Sequence, residues 1–188
     1  MMTAVTLKEP PSLRLPSFLR GRAGAEISTG TAPCHLWNMQ TVYEAAGGAD
    51  GLLRLAAAWH ARVMADEVVG HAFSHGFHPK HNQRLAAYWG ESLGGPTTYS
   101  DCYGDETSVV RMHSGNGPHE EMDRRAIACF DQALVDVGLA NHDRLRQVLH
   151  DYFARTTVTT MSRYHRSAED VPDGLQIPRW SWDGAVKE

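Results

Sequence analysis

Cysteine is scarce in this chain: Cys34, Cys102 and Cys129 are the only three among 188 residues. They form no CxxC or CxxCH, so the usual marks of a zinc knuckle and of a thioether-linked cofactor are missing. Widely spaced, odd cysteines fit a reducing cytosol best. Long apolar runs are also absent. No window approaches the roughly 18 consecutive apolar residues of a membrane helix, and no continuous apolar stretch near the start resembles a cleaved secretory signal. Positive charge is not in excess, because 18 Lys+Arg stand against 22 Asp+Glu for a net charge of −4. That excludes a generally basic binder of nucleic acid or acidic membrane. GxSxG, a Walker loop, HExxH and a GxGxxG before a helix are all missing. Histidine is what the chain has in plenty, with eleven copies. Imidazole serves as metal ligand, proton carrier or pH switch, so the count invites a functional reading without supplying one.

Residues 1–40 differ from the rest. They hold Pro10, Pro11, Pro16 and Pro33, and Lys8, Arg14, Arg20 and Arg22 against Glu9 and Glu26. This composition reads as a flexible N-terminal extension. A transit peptide is the weaker reading, because two acids and many prolines count against it. Met39 also offers an alternative start just before the patterned part.

From Thr41 the period is helical. Leu52, Leu55, Ala56, Trp59 and Val63 recur at helical spacing, with Asp50 placed to cap. Pro79 suits the first turn of a second helix carrying His81, Leu85, Tyr88, Trp89 and Ser92, which Gly94-Gly95-Pro96 stops. Residues 96–117 are irregular, with one short helical piece expected at Thr107–Met112. Pro118 opens a long helix with Ile127, Phe130, Leu134 and Val137 on its apolar side, ended by Gly138. A last helix starts near Asn141, with Leu145, Val148, Leu149, Tyr152, Phe153 and Thr156 inward. No strand alternation of useful length competes. The tail carries Trp180 and Trp182, large aromatics that gain by burial, and is expected to fold back onto the body. The architecture is all-α, with four principal helices in residues 41–165 and a C-terminal tail at 166–188.

The histidines admit several uses. His113 ends the short piece Val109-Val110-Arg111-Met112 and could ligate a metal from an apolar interior, or simply cap a helix end. His71, His75, His78 and His81 fall within eleven residues. Gly70, Gly76 and Pro79 break that stretch, which favours an exposed loop over a metal site. His60 follows Trp59 on the apolar side of its helix and is either a satisfied core residue, a boundary residue or a polar group aimed into a cavity. His119, His142 and His165 read as surface residues, and His150 as a boundary one. Cys129 reads as a small buried hydrophobe, and Glu120-Glu121 as solvated helix-start charge.

Several segments in this order resemble one family. Thr41-Val42-Tyr43-Glu44-Ala45-Ala46-Gly47-Gly48, Ala65-Asp66-Glu67-Val68-Val69 through Phe73, Leu93-Gly94-Gly95-Pro96-Thr97-Thr98-Tyr99 and the run Cys129 to Leu139 are similar to the second (O-type) group of truncated, 2-on-2 haemoglobins. The resemblance spans about residues 41–160. It implies a globin-like sandwich of two helix pairs, enclosing a non-covalent b-type haem that binds oxygen, NO or CO. It places the proximal iron ligand on His113 and the porphyrin-edge aromatic on Phe73. The distal positions over the iron fall on His81 and Leu85, which share a face at i, i+4.

Two departures stand out. The second-helix distal position usually holds a tyrosine that donates to the bound ligand, and here it is His60. The long-helix tryptophan of that group is replaced by Ala126, which opens volume. Neutral imidazole can donate one hydrogen bond and accept a proton, so His60 and His81 are the candidate catalytic groups for NO- or peroxide-consuming chemistry. The alternatives are a six-coordinate bis-histidine haem protein for electron transfer or redox sensing, and a haem-free globin-fold binding module. A small diatomic ligand and a reductase are the partners this reading implies, with no nucleic acid or membrane, a cytoplasmic location, and a monomer or homodimer.

Overall fold

The protein is described by a computed structural model that covers residues 40–187. The expected extension at 1–40, apart from Gln40, lies outside the described residues, as do Cys34 and Met39. Seven α-helices occur among the described residues: α1 (Val42–Ala45), α2 (Gly48–Ala65), α3 (His81–Ser92), α4 (Thr98–Cys102), α5 (Glu106–Met112), α6 (Glu120–Asp136) and α7 (Asp143–Arg155). The all-α expectation holds. None of these helices is long and apolar enough to cross a membrane.

Local chemistry explains where the helices begin. Thr41 and Glu44 form a reciprocal capping box on α1, with the Thr41 hydroxyl accepting from the Glu44 amide at 3.1 Å and the Glu44 carboxylate accepting from the Thr41 amide at 2.9 Å. Asp50 does not cap α2. Gly47 does, at φ +90°, and Asp50 sits in the first turn, where its charge meets the positive end of the helix dipole. A Cβ on Gly51 would lie 1.9 Å from the Ala46 carbonyl oxygen, so glycine is what lets α2 start against α1. Pro79 and Pro118 stand two residues ahead of α3 and α6 rather than within their first turns.

The core forms where α2 packs on α3 and α6, and α6 packs on α7. Phe130 of α6 stacks on Phe153 of α7 at 4.1 Å. Trp89 of α3 meets both rings edge-on at 5.4 and 5.8 Å, and Trp59 of α2 meets Phe153 at 5.6 Å. Such aromatic pairs add about 0.5–1.5 kcal/mol each beyond the area they bury. Tyr152, Leu52, Leu55, Leu134, Leu145 and Leu149 fill the remaining space and are fully buried.

The tail does fold back. Trp180 is buried, and Trp180–Ser181 (β1) pairs antiparallel with Gly184–Ala185 (β2), a hairpin too short to show as alternation in the sequence. Arg179 donates to the Glu91 carbonyl at 2.5 Å and lies 3.6 Å from the buried Glu91 carboxylate. The segment before it braces α5. Thr107 donates to the Pro172 carbonyl and accepts from the Leu175 amide, and Arg111 reaches Val171 and Asp173. The tail therefore fixes the helix that ends at His113.

Candidate functional site

The α5 helix is built to present the residue after it. Asp105 caps its start by accepting from the Ser108 amide at 2.7 Å, and that bond holds the carboxyl below the ordinary aspartate range. The helix stops at His113, and the Ser114 hydroxyl donates to the Val110 carbonyl at 2.6 Å. The Gly115 and Gly117 amides then donate to the Tyr164 and His165 carbonyls, at 3.0 and 2.9 Å. Both glycines take a positive φ of 76°, which side chains rarely adopt.

His113 Nδ1 lies 2.8 Å from the Val109 carbonyl oxygen. A carbonyl only accepts, so Nδ1 carries the proton and Nε2 of the neutral ring is left with its lone pair. Burial lowers the pKa, which favours that neutral form. The ring is nonetheless solvent-exposed. A ring desolvated by surrounding protein yet open on one side lines a crevice rather than a convex surface. A histidine whose Nδ1–H is held by a carbonyl and whose Nε2 is free has the geometry of an oriented metal ligand.

Four rings gather where α2, α3 and the segment between them meet. His60 on α2 and His81 at the start of α3 have ring centroids 4.9 Å apart, and Phe73 lies 5.2 Å from the first and 5.4 Å from the second. Phe73 belongs to a single 3₁₀ turn, Gly70–Phe73, which follows α2. The Asp66 carboxylate prepares that turn by accepting from the Val68 and Val69 amides, both at 2.9 Å. Phe77 completes the group at 4.5 Å from His60 and 5.8 Å from His81. The sequence reading did not single out Phe77. Its only signal is an aromatic side chain in the Gly- and His-rich loop 74–80, and it stays 48% exposed.

Burial pushes both imidazoles toward the neutral form. Burial lowers the pKa of His60, and burial first, then the neighbouring His60 and His113, brings His81 down to about 4. His60 Nδ1 and His81 Nε2 are buried without a hydrogen-bond partner. Buried polar atoms are nearly always satisfied, so two orphaned nitrogens on neighbouring rings mark this cluster as a candidate site for a polar ligand.

The remaining sequence candidates fall around this space. Leu85 lies one turn beyond His81 on the same face of α3 and is half-buried against the core. Ala126 of α6 is buried in a small cluster with Val63 and Val69, against which Phe73 and Trp59 pack. The Trp59 indole donates to the Ala126 carbonyl at 3.1 Å, bringing an aromatic ring close to a position that itself has none. His71, His75 and His78 are exposed. Among the described residues no cluster of three or more His, Cys, Asp or Glu is fit to hold a metal ion.

Two of the remaining histidines, His119 and the boundary residue His150, are paired with carboxylates. The His119 ring is only 18% exposed and pairs with Asp123 at 3.0 Å, and Asp123 also accepts from the Ser162 hydroxyl at 2.7 Å. His150 pairs with Asp131 at 2.7 Å. Glu121 is not merely solvated: Arg124 and Arg125 both bond to it and hold its pKa at about 2. Cys129 is half-buried.

A flat apolar macrocycle with a central metal fits this arrangement. Such a group would need a lone-pair nitrogen, which His113 could offer, apolar walls, for which Phe73, Leu85 and Ala126 are candidates, and polar groups for a ligand, for which His60 and His81 are candidates.

A family model described as bacterial-like globin matches residues 41–161. The haemoglobin of the thermophilic phototrophic bacterium Chloroflexus aurantiacus has a similar structure, with a TM-score of 0.57 and 25% identity over 66% of this chain and 99% of that one. A thermostable haemoglobin from the actinobacterium Thermobifida fusca gives a TM-score of 0.55 and 27% identity over 65% of this chain and 97% of its own. The group II truncated haemoglobin of Bacillus anthracis, at 21% identity, TM-score 0.56, and 65% and 90% coverage, shares the fold. No curated protein matches the sequence.

Proposed function

Because the chain belongs to the bacterial-like globin family, whose solved relatives include truncated haemoglobins, we propose that it holds a non-covalent b-type haem and reversibly binds a small diatomic ligand: oxygen, NO or CO. The observation that carries this reading is the pairing of a free His113 Nε2, oriented by the Val109 carbonyl, with two orphaned imidazole nitrogens on the other side. The haem supplies an iron that exchanges an axial ligand and can pass electrons. The chain supplies everything else.

His113 would hold the haem iron through Nε2. Its single carbonyl bond orients the ring but leaves it neutral, so it is a weaker donor than an imidazole hydrogen-bonded to a carboxylate. Phe73, Leu85 and Ala126 give apolar walls that exclude water. His60 and His81 each offer one N–H to a polar ligand held opposite His113, and either can release or take up a proton. The orphaned His81 Nε2 also supports a second reading, in which this ring would hold the iron together with His113 and the protein would carry electrons rather than ligands. Soluble partners, a reductase among them, and a cytoplasmic location agree with both readings.

Haemin added to apoprotein tests the haem reading. Saturation of a new Soret band at one haemin per chain is the expected result. Featureless, non-saturating uptake would leave the fold as a haem-free binding module.

A further inference from the structure

A second buried site lies beside the crevice. Tyr88 stands two turns beyond His81 on the same face of α3, about 10 Å along the helix. It is 4% exposed, and its hydroxyl donates to Glu106 Oε2 at 2.9 Å. Glu106 opens α5, the helix that ends at His113, and is only 3% exposed. The other carboxyl oxygen, Oε1, is buried with no partner. Burying a carboxyl for one returned hydrogen bond is costly, and an apolar pair would pack here at lower cost. Burial also raises its pKa to about 7, so near neutral pH it can either hold or accept a proton.

Tyr88 begins a file of phenols. Its ring meets Tyr99 edge-on at 5.3 Å, and Tyr99 lies 6.0 Å from Tyr103. Tyr99 is buried and Tyr103 half-exposed, so the file runs from the interior to the surface. The Arg84 guanidinium lies over both outer rings, at 5.8 and 5.4 Å, and donates to the Tyr103 carbonyl at 2.9 Å, which holds them in line.

We propose that Tyr88, Tyr99 and Tyr103 form an electron relay from the surface to the haem crevice, with Glu106 as the proton acceptor for Tyr88. The inference rests on the haem reading above. Its oxidant is a hydroperoxide, whose O–O bond breaks as it takes up two electrons and two protons to give an alcohol, or water for hydrogen peroxide, and one water. Each electron leaves Tyr88 toward the crevice while the phenol O–H bond breaks and the proton joins Glu106 Oε2. The electron deficit passes to Tyr99 and then Tyr103; each phenol gives up its proton when oxidised and regains it when reduced, Tyr88 by way of Glu106 and the two outer tyrosines by exchange with solvent at the open end of the file. At Tyr103 a phenolic reductant gives one electron and, through solvent, one proton. One hydroperoxide therefore consumes two phenolic donors, each oxidised by one electron.

The test treats haem-loaded full-length protein with hydrogen peroxide in the absence of a donor. Rapid freezing and electron paramagnetic resonance then detect protein radicals, and fluorescence detects dityrosine cross-links between molecules. Wild type is expected to give a tyrosyl signal and dityrosine dimers. Tyr88→Phe should lose the radical on the outer tyrosines. Tyr103→Phe should keep a radical but lose the cross-links, and Glu106→Gln should slow radical formation. Soret spectra and circular dichroism check that each variant is folded and loaded, and Tyr99→Phe interrupts the file without touching the Glu106 bond. A normal Soret band with a radical yield unaffected by Tyr88→Phe or Tyr99→Phe overturns the relay alone. Absence of any Soret band overturns the haem reading and the relay with it.

Discussion

Replacing His60 and His81 together by leucine is expected to speed loss of bound oxygen about ten- to a hundredfold. A hydrogen bond to a charged or strongly polarised acceptor contributes about 1.5–3 kcal/mol, and each 1.4 kcal/mol is a factor of ten. The two rings stand 4.9 Å apart, are both pushed toward the neutral form by burial, and carry the orphaned atoms His60 Nδ1 and His81 Nε2. Leucine keeps the apolar contacts with Phe73 and Phe77 and removes only the polar tips. Carbon monoxide, a weaker hydrogen-bond acceptor, serves as the control and should leave at nearly the wild-type rate. Stopped-flow displacement of oxygen by CO measures both. Equal oxygen rates in the variant and wild type would show that neither ring touches the ligand. Conversion of a low-spin resting spectrum to a high-spin one in the variant would favour the second reading, with His81 on the iron.

The second large effect concerns stability and Glu106. Its carboxyl has an ordinary value near 4.5 in the unfolded chain and about 7 in the folded protein, because burial disfavours the charged form. The folded state therefore holds the proton more tightly. Stability from this group is fully present below about pH 4.5 and is lost as the pH rises through about 7. Glu106→Gln keeps an oxygen for the Tyr88 hydroxyl and is neutral at every pH. At pH 8 it should be more stable than wild type, by at most about 3 kcal/mol. At pH 4.5 the difference should nearly vanish. Urea unfolding at the two pH values checks this, and a constant difference would show that the carboxyl is not held up. A variant that gains stability while forming the Tyr88 radical more slowly would show that the buried acid serves function at the expense of stability.

Long apolar stripes made α2, α3, α6 and α7 legible, since Leu52, Trp59, Trp89, Phe130 and Phe153 sit at helical spacing and all meet in one core. Short elements were not. α4 is Thr-Tyr-Ser-Asp-Cys, with no side-chain cap on its first amides and only Tyr99 buried, so nothing in its sequence distinguishes it from a turn. The β1–β2 hairpin pairs two residues with two, below any detectable alternation. At the site, the crevice residues came from the ordered family resemblance rather than from spacing, and His113 alone would have passed for a helix cap. Phe77 escaped because loops 74–80 carry no period. Glu106 escaped because an acid at a helix start normally faces water, and only the fold puts Tyr88 over it.

The central claim is that His113 Nε2 would hold the haem iron and that the pocket would leave room for a diatomic ligand. The optical spectrum of reduced, haem-loaded protein, recorded before and after CO for wild type and His113→Gly, tests it most directly. The account predicts a sharp Soret shift on CO in wild type, its loss in His113→Gly, and its return when free imidazole fills the space left by the missing ring. An unchanged CO spectrum and haem affinity in His113→Gly without imidazole would contradict it.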